Sequence, residues 1–346
     1  MTDLVEDAQQ TEIDSSPPFD LGVVDDTPEV AVDLGRLQAN IARAASAAEA
    51  HGIGLRPHVK THKMPQIAAL QMRAGAVGIQ VAKLGEAEVF AAAGVPDIFI
   101  GYPLVGPRKV ARLIYLLEHS DATISIATDS IEAARPIAAA AVAAGLRVPL
   151  LIEIDTGLRR LGVQPHQALN LARDLAELDG IELAGLFTHE GHVYTHARSF
   201  EEKRAMTRAA CAAVADTAEA IRAEGIPLAT VSVGSSGTFR FAVECENVTE
   251  IRPGTYVFND FTQVLQGAAT QADLAAFVVA TVVGRPEATR AVIDAGSKVL
   301  TSDRLIVSHP ETTFGSVAGY PGAAVTRLSE EHGLLELPPD TDMQVG

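Results

Sequence analysis

Up to Arg252, eight short apolar runs rich in β-branched residues alternate with helical stretches at a steady spacing. That alternation predicts βα units and a parallel sheet, and eight strands, each following a helix, is the count of a (β/α)8 barrel. The predicted strands are Leu55–Lys60, Ala76–Ala82, Ile98–Tyr102, Thr123–Ala127, Val148–Asp155, Leu183–His189, Thr230–Gly234 and Thr249–Arg252. Helices are predicted over Leu34–Ala50, Pro65–Arg73, Gly85–Ala93, Pro107–Glu118, Ser130–Ala144, Pro165–Glu177, Phe200–Ala223 and Thr238–Glu244. An open doubly wound sheet is the competing architecture, but no Gly-rich turn follows the first strand.

After Phe261 the pattern changes to short β-like runs, Ala275–Val283, Arg290–Asp294 and Leu305–Ser308, separated by turns. The expected organisation is a disordered acidic leader over 1–18, then a segment over 19–32 that adds a strand to the second domain. The barrel follows over 33–265 and a β domain over 266–346. A chain of 346 residues with 47% hydrophobic content is long enough for both cores. No apolar run approaches the roughly 20 residues that span a bilayer, and residues 1–18 lack the basic and apolar regions of a signal peptide. The formal charge of −17 argues against nucleic acid and anionic membrane as partners. Two cysteines, Cys211 and Cys245, have no metal-ligand spacing and read as small core residues in a reducing cytoplasm.

Candidate chemistry gathers at the C-terminal strand ends, the active face of a barrel. Lys60 lies in Arg56-Pro57-His58-Val59-Lys60-Thr61-His62-Lys63, among positive charges at a strand end. Burial and those charges lower a lysine's proton affinity and make it a nucleophile that can hold a carbonyl cofactor as a Schiff base. From local residues alone, a basic loop capping a strand is an equal reading. Gly234-Ser235-Ser236-Gly237-Thr238 runs into a predicted helix, a pattern that cradles phosphate with amides, hydroxyls and the helix dipole. Gly254 and Thr255 extend that cradle, and a glycine-serine turn with Thr238 as N-cap is the plain alternative. His189 and His192 read either as hydrogen-bonded loop histidines or as site residues. No third ligand stands nearby for a metal. Arg160 and Arg252 sit at strand ends, as surface ion pairs or as site cations.

The ordered set Pro57–Lys63, Asp155-Thr156-Gly157 with Arg160 and Gly162-Val163, Thr188-His189 with Gly191-His192, Gly234–Thr238, Gly254–Phe258 and Asp294-Ala295-Gly296 resembles one known family. It is the D-threonine aldolase and D-serine dehydratase family of fold-type III pyridoxal 5′-phosphate enzymes, and the likeness runs from about Thr27 to the C-terminus. The resemblance implies an alanine-racemase-like (β/α)8 TIM barrel plus a C-terminal β-rich domain. It implies pyridoxal phosphate on Lys60, Arg160 near its phenolic oxygen and Arg252 facing its pyridine nitrogen. His189 and Tyr256 would complete the cofactor site. Ser235, Gly237, Thr238, Gly254 and Thr255 would hold the phosphate, and His192 and Tyr194 would stand near the substrate.

The implied reaction is cleavage of D-threonine-type substrates to glycine and an aldehyde. D-serine dehydration, amino-acid racemisation and a non-catalytic pyridoxal phosphate carrier are the alternatives. A head-to-tail homodimer is implied as well. The family also uses Mn²⁺ or Zn²⁺, held by a histidine followed two residues later by a cysteine or aspartate. No such pair follows Glu331-His332-Gly333, so no metal ligand is assigned and the β domain is expected to lack its last strands.

Overall fold

Pleated apolar runs need neighbours on both edges, and a ring of strands provides them. The computed structural model describes residues 24–302 and 313–346. The expected leader over 1–18, residues 19–23 and the run Leu305–Ser308 lie outside the described residues. In chain order the elements are β1 (Glu29–Val32), α1 (Leu34–Ala50), β2 (Gly54–Leu55), α2 (Pro65–Arg73), β3 (Ile79–Val81), α3 (Leu84–Ala92), β4 (Asp97–Pro103), α4 (Pro107–His119) and β5 (Thr123–Thr128). Then come α5 (Ile131–Ala143), β6 (Val148–Glu153), α6 (Pro165–Ala176), β7 (Ile181–Phe187), α7 (His192–His196), α8 (Phe200–Ala223), β8 (Thr230–Val233), α9 (Phe239–Ala242) and β9 (Glu250–Ile251). The rest is α10 (Phe261–Leu265), β10 (Ala276–Val279), β11 (Val282–Glu287), β12 (Arg290–Ile293), β13 (Gly315–Ser316), β14 (Ala324–Leu328) and β15 (Gly333–Glu336).

The chain divides into two units, one of them Ile41–Tyr256. In it eight parallel strands run in the order β2-β9-β8-β7-β6-β5-β4-β3. The amide of Val77 donates to Leu55 O at 2.9 Å and that of Gln80 to Pro57 O at 2.8 Å, so β2 meets β3 and the ring closes. A closed ring excludes the doubly wound alternative. Outward-facing Ile98, Ile100, Ile126, Leu150 and Ile152 are buried with helical Leu113, Ile137 and Leu175 in one core. The lumen holds Phe99, Ala127, Leu151 and Phe187, with the two phenyl rings 5.0 Å apart and edge-on.

A polar chain also crosses the lumen. Arg56 Nη1 lies 2.5 Å from Asp97 Oδ1, and its Nε donates to Glu250 Oε2 at 2.9 Å. Glu250 Oε1 accepts from Ser232 Oγ at 2.6 Å. Ser232 Oγ in turn accepts from Arg252 Nη1. Gly78 and Gly101 make room for this chain. A Cβ on Gly101 would fall 1.9 Å from Gln80 Nε2, and one on Gly78 2.4 Å from Arg56 Nη1.

The other unit holds the antiparallel pair β1–β10 and a five-stranded antiparallel sheet in the order β11-β12-β15-β14-β13. Its core is Ala291, Ile293, Ala295, Val325, Leu335 and Leu337. Asp294 ties its turns together, accepting from Thr27 Oγ1 at 2.6 Å and from the Thr281 amide at 2.8 Å. Gly296 packs against Glu330, whose carbonyl oxygen would lie 2.3 Å from an added Cβ. The motif Asp294-Ala295-Gly296 is thus a packing device within this unit. Among the described residues no helix is long and apolar enough to cross a membrane.

Candidate active site

Lys60 is placed by a break in its strand. Pro57 supplies no amide, and Val59–Thr61 turn into a short 3-10 helix anchored by fully buried Val59. The predicted strand Leu55–Lys60 therefore ends at Leu55 as regular structure, and Lys60 emerges at the C-terminal mouth. Its amine pKa is lowered, first by burial and then by the charge of Arg160, with Glu86 opposing. Lys60 as a whole residue is exposed, while its amine is partly enclosed. The neighbouring cation Lys63 is engaged elsewhere, 3.0 Å from Glu86 Oε1.

The loop after β6 is organised by Asp155. Its Oδ1 accepts from the amides of Gly157 at 2.9 Å and Arg159 at 3.0 Å, and its Oδ2 from Gln164 Nε2 at 2.9 Å. Burial pushes its pKa up, yet these donors outweigh burial and hold it below the usual carboxylate range. Arg160, in this loop, is exposed, and its charge acts on Lys60, His189 and Glu153 together. Gly157 sits at φ +139° with the His192 ring against it, 3.0 Å from where a Cβ would stand. His192 Nδ1 is buried with no hydrogen-bond partner among the described residues. Burial lowers the His192 pKa, with Glu190 opposing. Burial brings His189 down to about 4, Glu190 opposing and the charges of Arg160, Lys60 and Arg252 assisting, so it is neutral at pH 7.

The predicted phosphate cradle follows β8. Gly234 adopts φ +120°, and a Cβ there would meet the Arg252 amide at 2.9 Å. Gly254 lies over the lysine loop, where a Cβ would stand 2.9 Å from His58 O. The main-chain amides of Ser235 and Ser236 have no acceptor among the described residues. Ser236 Oγ accepts from the Gly254 and Tyr256 amides, both at 3.1 Å, and staples the loops after β8 and β9. Thr255, half-buried, opens the 3-10 turn Thr255–Val257 in the second of these loops.

One expectation needs correction. The helix predicted over Thr238–Glu244 is only the turn α9, too short for a helix dipole to matter, so the cradle is one of loop amides. The Ser235 and Thr238 hydroxyls bond to Glu190. The Tyr194 hydroxyl accepts from the Gly237 amide at 3.0 Å, which puts it at the cradle. Tyr256 is buried, and its hydroxyl accepts from Gln71 Nε2 at 3.0 Å, toward α2. Arg252 is buried in the lumen and donates to Gln80 Oε1 at 3.0 Å, to Ser232 Oγ and to Thr188 O, which leaves two of its five N–H groups.

Sequence reasoning missed Glu190 and Ser236, although both lie inside segments it singled out. It also missed Glu153, the buried last residue of β6. Burial, opposed by Arg160 and Arg252, pushes its carboxyl up to about 7.

A depressed lysine amine, unbonded cradle amides and close-packed glycines fit pyridoxal phosphate. Lys60 would hold its aldehyde, and the amides of Ser235 and Ser236 its phosphate. Among the described residues no three His, Cys, Asp or Glu side chains converge as metal ligands.

Comparison with known proteins agrees with the fold and the residue pattern. Residues 32–260 match the family described as alanine racemase, N-terminal domain, and residues 275–346 the putative serine dehydratase domain. The D-threo-3-hydroxyaspartate dehydratase of Delftia sp. (strain HT23) is 37% identical over 90% of this chain and 83% of its own length. The D-threonine aldolase of Arthrobacter sp. is 34% identical over 91% of this chain and 81% of its own. The crystal structure of D-threonine aldolase from Filomicrobium marinum superposes with a TM-score of 0.80 at 34% identity, covering 92% of this chain and 83% of that one. The chain therefore belongs to the family that joins an alanine racemase N-terminal barrel to a putative serine dehydratase domain, and D-threonine aldolase is among its relatives.

Proposed function

We propose that the protein is a pyridoxal-phosphate-dependent lyase of D-β-hydroxy amino acids that cleaves D-threonine-type substrates to glycine and an aldehyde. The observation that carries this reading is Lys60, an amine lowered by burial and by Arg160 at the barrel mouth. Bound pyridoxal phosphate supplies the electron sink that weakens bonds to the substrate α-carbon. Lys60 would hold the cofactor's carbonyl through its amine. Arg160 supplies positive charge at the mouth that suits the substrate carboxylate. His192, held against Gly157 and largely neutral, takes the β-hydroxyl proton. The Cα–Cβ bond then breaks, Cβ becomes the aldehyde carbon, and the proton taken from the hydroxyl is returned to Cα to complete glycine.

D-serine dehydration is the second reading, favoured because one relative is named a dehydratase, of D-threo-3-hydroxyaspartate. A cofactor carrier is disfavoured because a second domain accompanies the barrel. Assaying D-threonine for glycine and D-serine for pyruvate, with and without Mn²⁺ or Zn²⁺, separates the readings. His192→Asn is expected to lower turnover about 10²- to 10³-fold. Activity on L-isomers alone would refute both. The reading includes a cytoplasmic enzyme, consistent with two free thiols, and a homodimer. Light scattering of cofactor-loaded protein reads the latter, and a monomer that still turns over D-threonine removes it.

A further inference from the structure

Glu190 is 1% exposed and lies behind the cradle. Its Oε2 accepts from the Gly234 amide at 3.1 Å. Its Oε1 accepts from the Thr238 hydroxyl in a short bond and from Ser235 Oγ at 3.4 Å, and the two hydroxyls are 2.6 Å apart.

A hydroxyl has one proton to donate. That of Thr238 goes to Glu190, and that of Ser235 to Thr238 or to Glu190, so neither is left for a ligand. Ser236 is in the opposite state. Its Oγ accepts two amides, so both lone pairs are used and its proton is unspent. The amides of Ser235 and Ser236 are unspent as well.

We propose that Glu190 is a positioning residue that sorts the donors of the cradle. It draws the Ser235 and Thr238 hydroxyl protons away from the ligand and leaves a phosphate to the Ser236 hydroxyl and the Ser235 and Ser236 amides. The inference rests on the cofactor reading above. It makes the second serine of the pair, and not Thr238, the side chain that recognises phosphate. A carboxylate behind an anion cradle also opposes the anion by charge. In Glu190→Gln an amide nitrogen facing Thr238 Oγ1 would donate to it, turn the threonine proton outward and remove that charge.

The test is titration of the cofactor-free protein with pyridoxal 5′-phosphate and, separately, with pyridoxal. The ratio of the two affinities isolates the phosphate contribution, whatever the activity. Ser236→Ala is expected to lower the ratio about tenfold and Glu190→Gln to raise it about threefold, while Thr238→Val stays within about twofold of the parent. A Thr238→Val loss equal to that of Ser236→Ala, or a lowered ratio in Glu190→Gln, overturns the assignment. Melting temperatures report folding, and if Glu190→Gln does not fold the Ser236 and Thr238 variants decide. Parent protein that binds neither compound rejects the cofactor reading itself.

Discussion

Lys60→Ala is expected to fold as the parent does, to show no visible absorbance band with added pyridoxal phosphate, and to cleave D-threonine at least about 10⁴-fold more slowly. The fold is spared because Lys60 sits exposed on a one-turn helix whose anchor is Val59. On the proposed reading the band and the turnover are lost together, because the Lys60 amine, its pKa lowered by burial and by Arg160, would bond the cofactor carbonyl. Lys60→Arg is expected to be equally inactive, since a guanidinium stays protonated and cannot act as the nucleophile. A Lys60→Ala protein that retains both band and turnover would transfer the role to another lysine, with Lys63 and Lys83 nearest in sequence.

The second large effect is on stability. Glu153 is buried at the end of β6, and its folded pKa of about 7 lies above its ordinary 4.5. The folded protein thus holds a proton that the unfolded chain releases. The stabilisation is complete below pH 4.5 and is lost as pH rises toward 7, a change on the order of 3 kcal/mol. Glu153→Gln has no proton to lose. It should melt several degrees above the parent at pH 8 and close to it at pH 5. An equal shift at both pH values would mean that Glu153 does not titrate in this range. His189 acts in the opposite direction. With its pKa lowered to about 4, it favours the fold above pH 6.5 and withdraws that contribution as pH falls toward 4.

Periodicity located every barrel strand because most are largely apolar runs with buried residues, and α8 matched its predicted bounds Phe200–Ala223. Strand ends were harder to read. Pro57 and the turn at Val59 end β2 well before Lys60, and no local pattern announces a 3-10 turn there. The predicted run Ala275–Val283 is two strands, broken where the Thr281 amide leaves the ladder for Asp294. Strands β14 and β15 escaped prediction, since short alternating segments such as Ala324–Leu328 carry little period.

In the site, the motif-bearing residues Lys60, Arg160, His189 and His192 could be named from sequence. The residues that aim or charge them could not. Arg56 finds Glu250 across 194 positions, and Glu190 turns the hydroxyls of Ser235 and Thr238 from 45 and 48 residues away. Contacts of that kind are set by ring closure and leave no local signal.

One measurement bears most directly on the account. The purified protein is loaded with pyridoxal phosphate, treated with borohydride, digested and mapped by mass spectrometry. The expected result is a visible band that vanishes on reduction, with the pyridoxyl group fixed on Lys60. A protein that stays colourless with added cofactor, or one labelled at any other lysine, would contradict it.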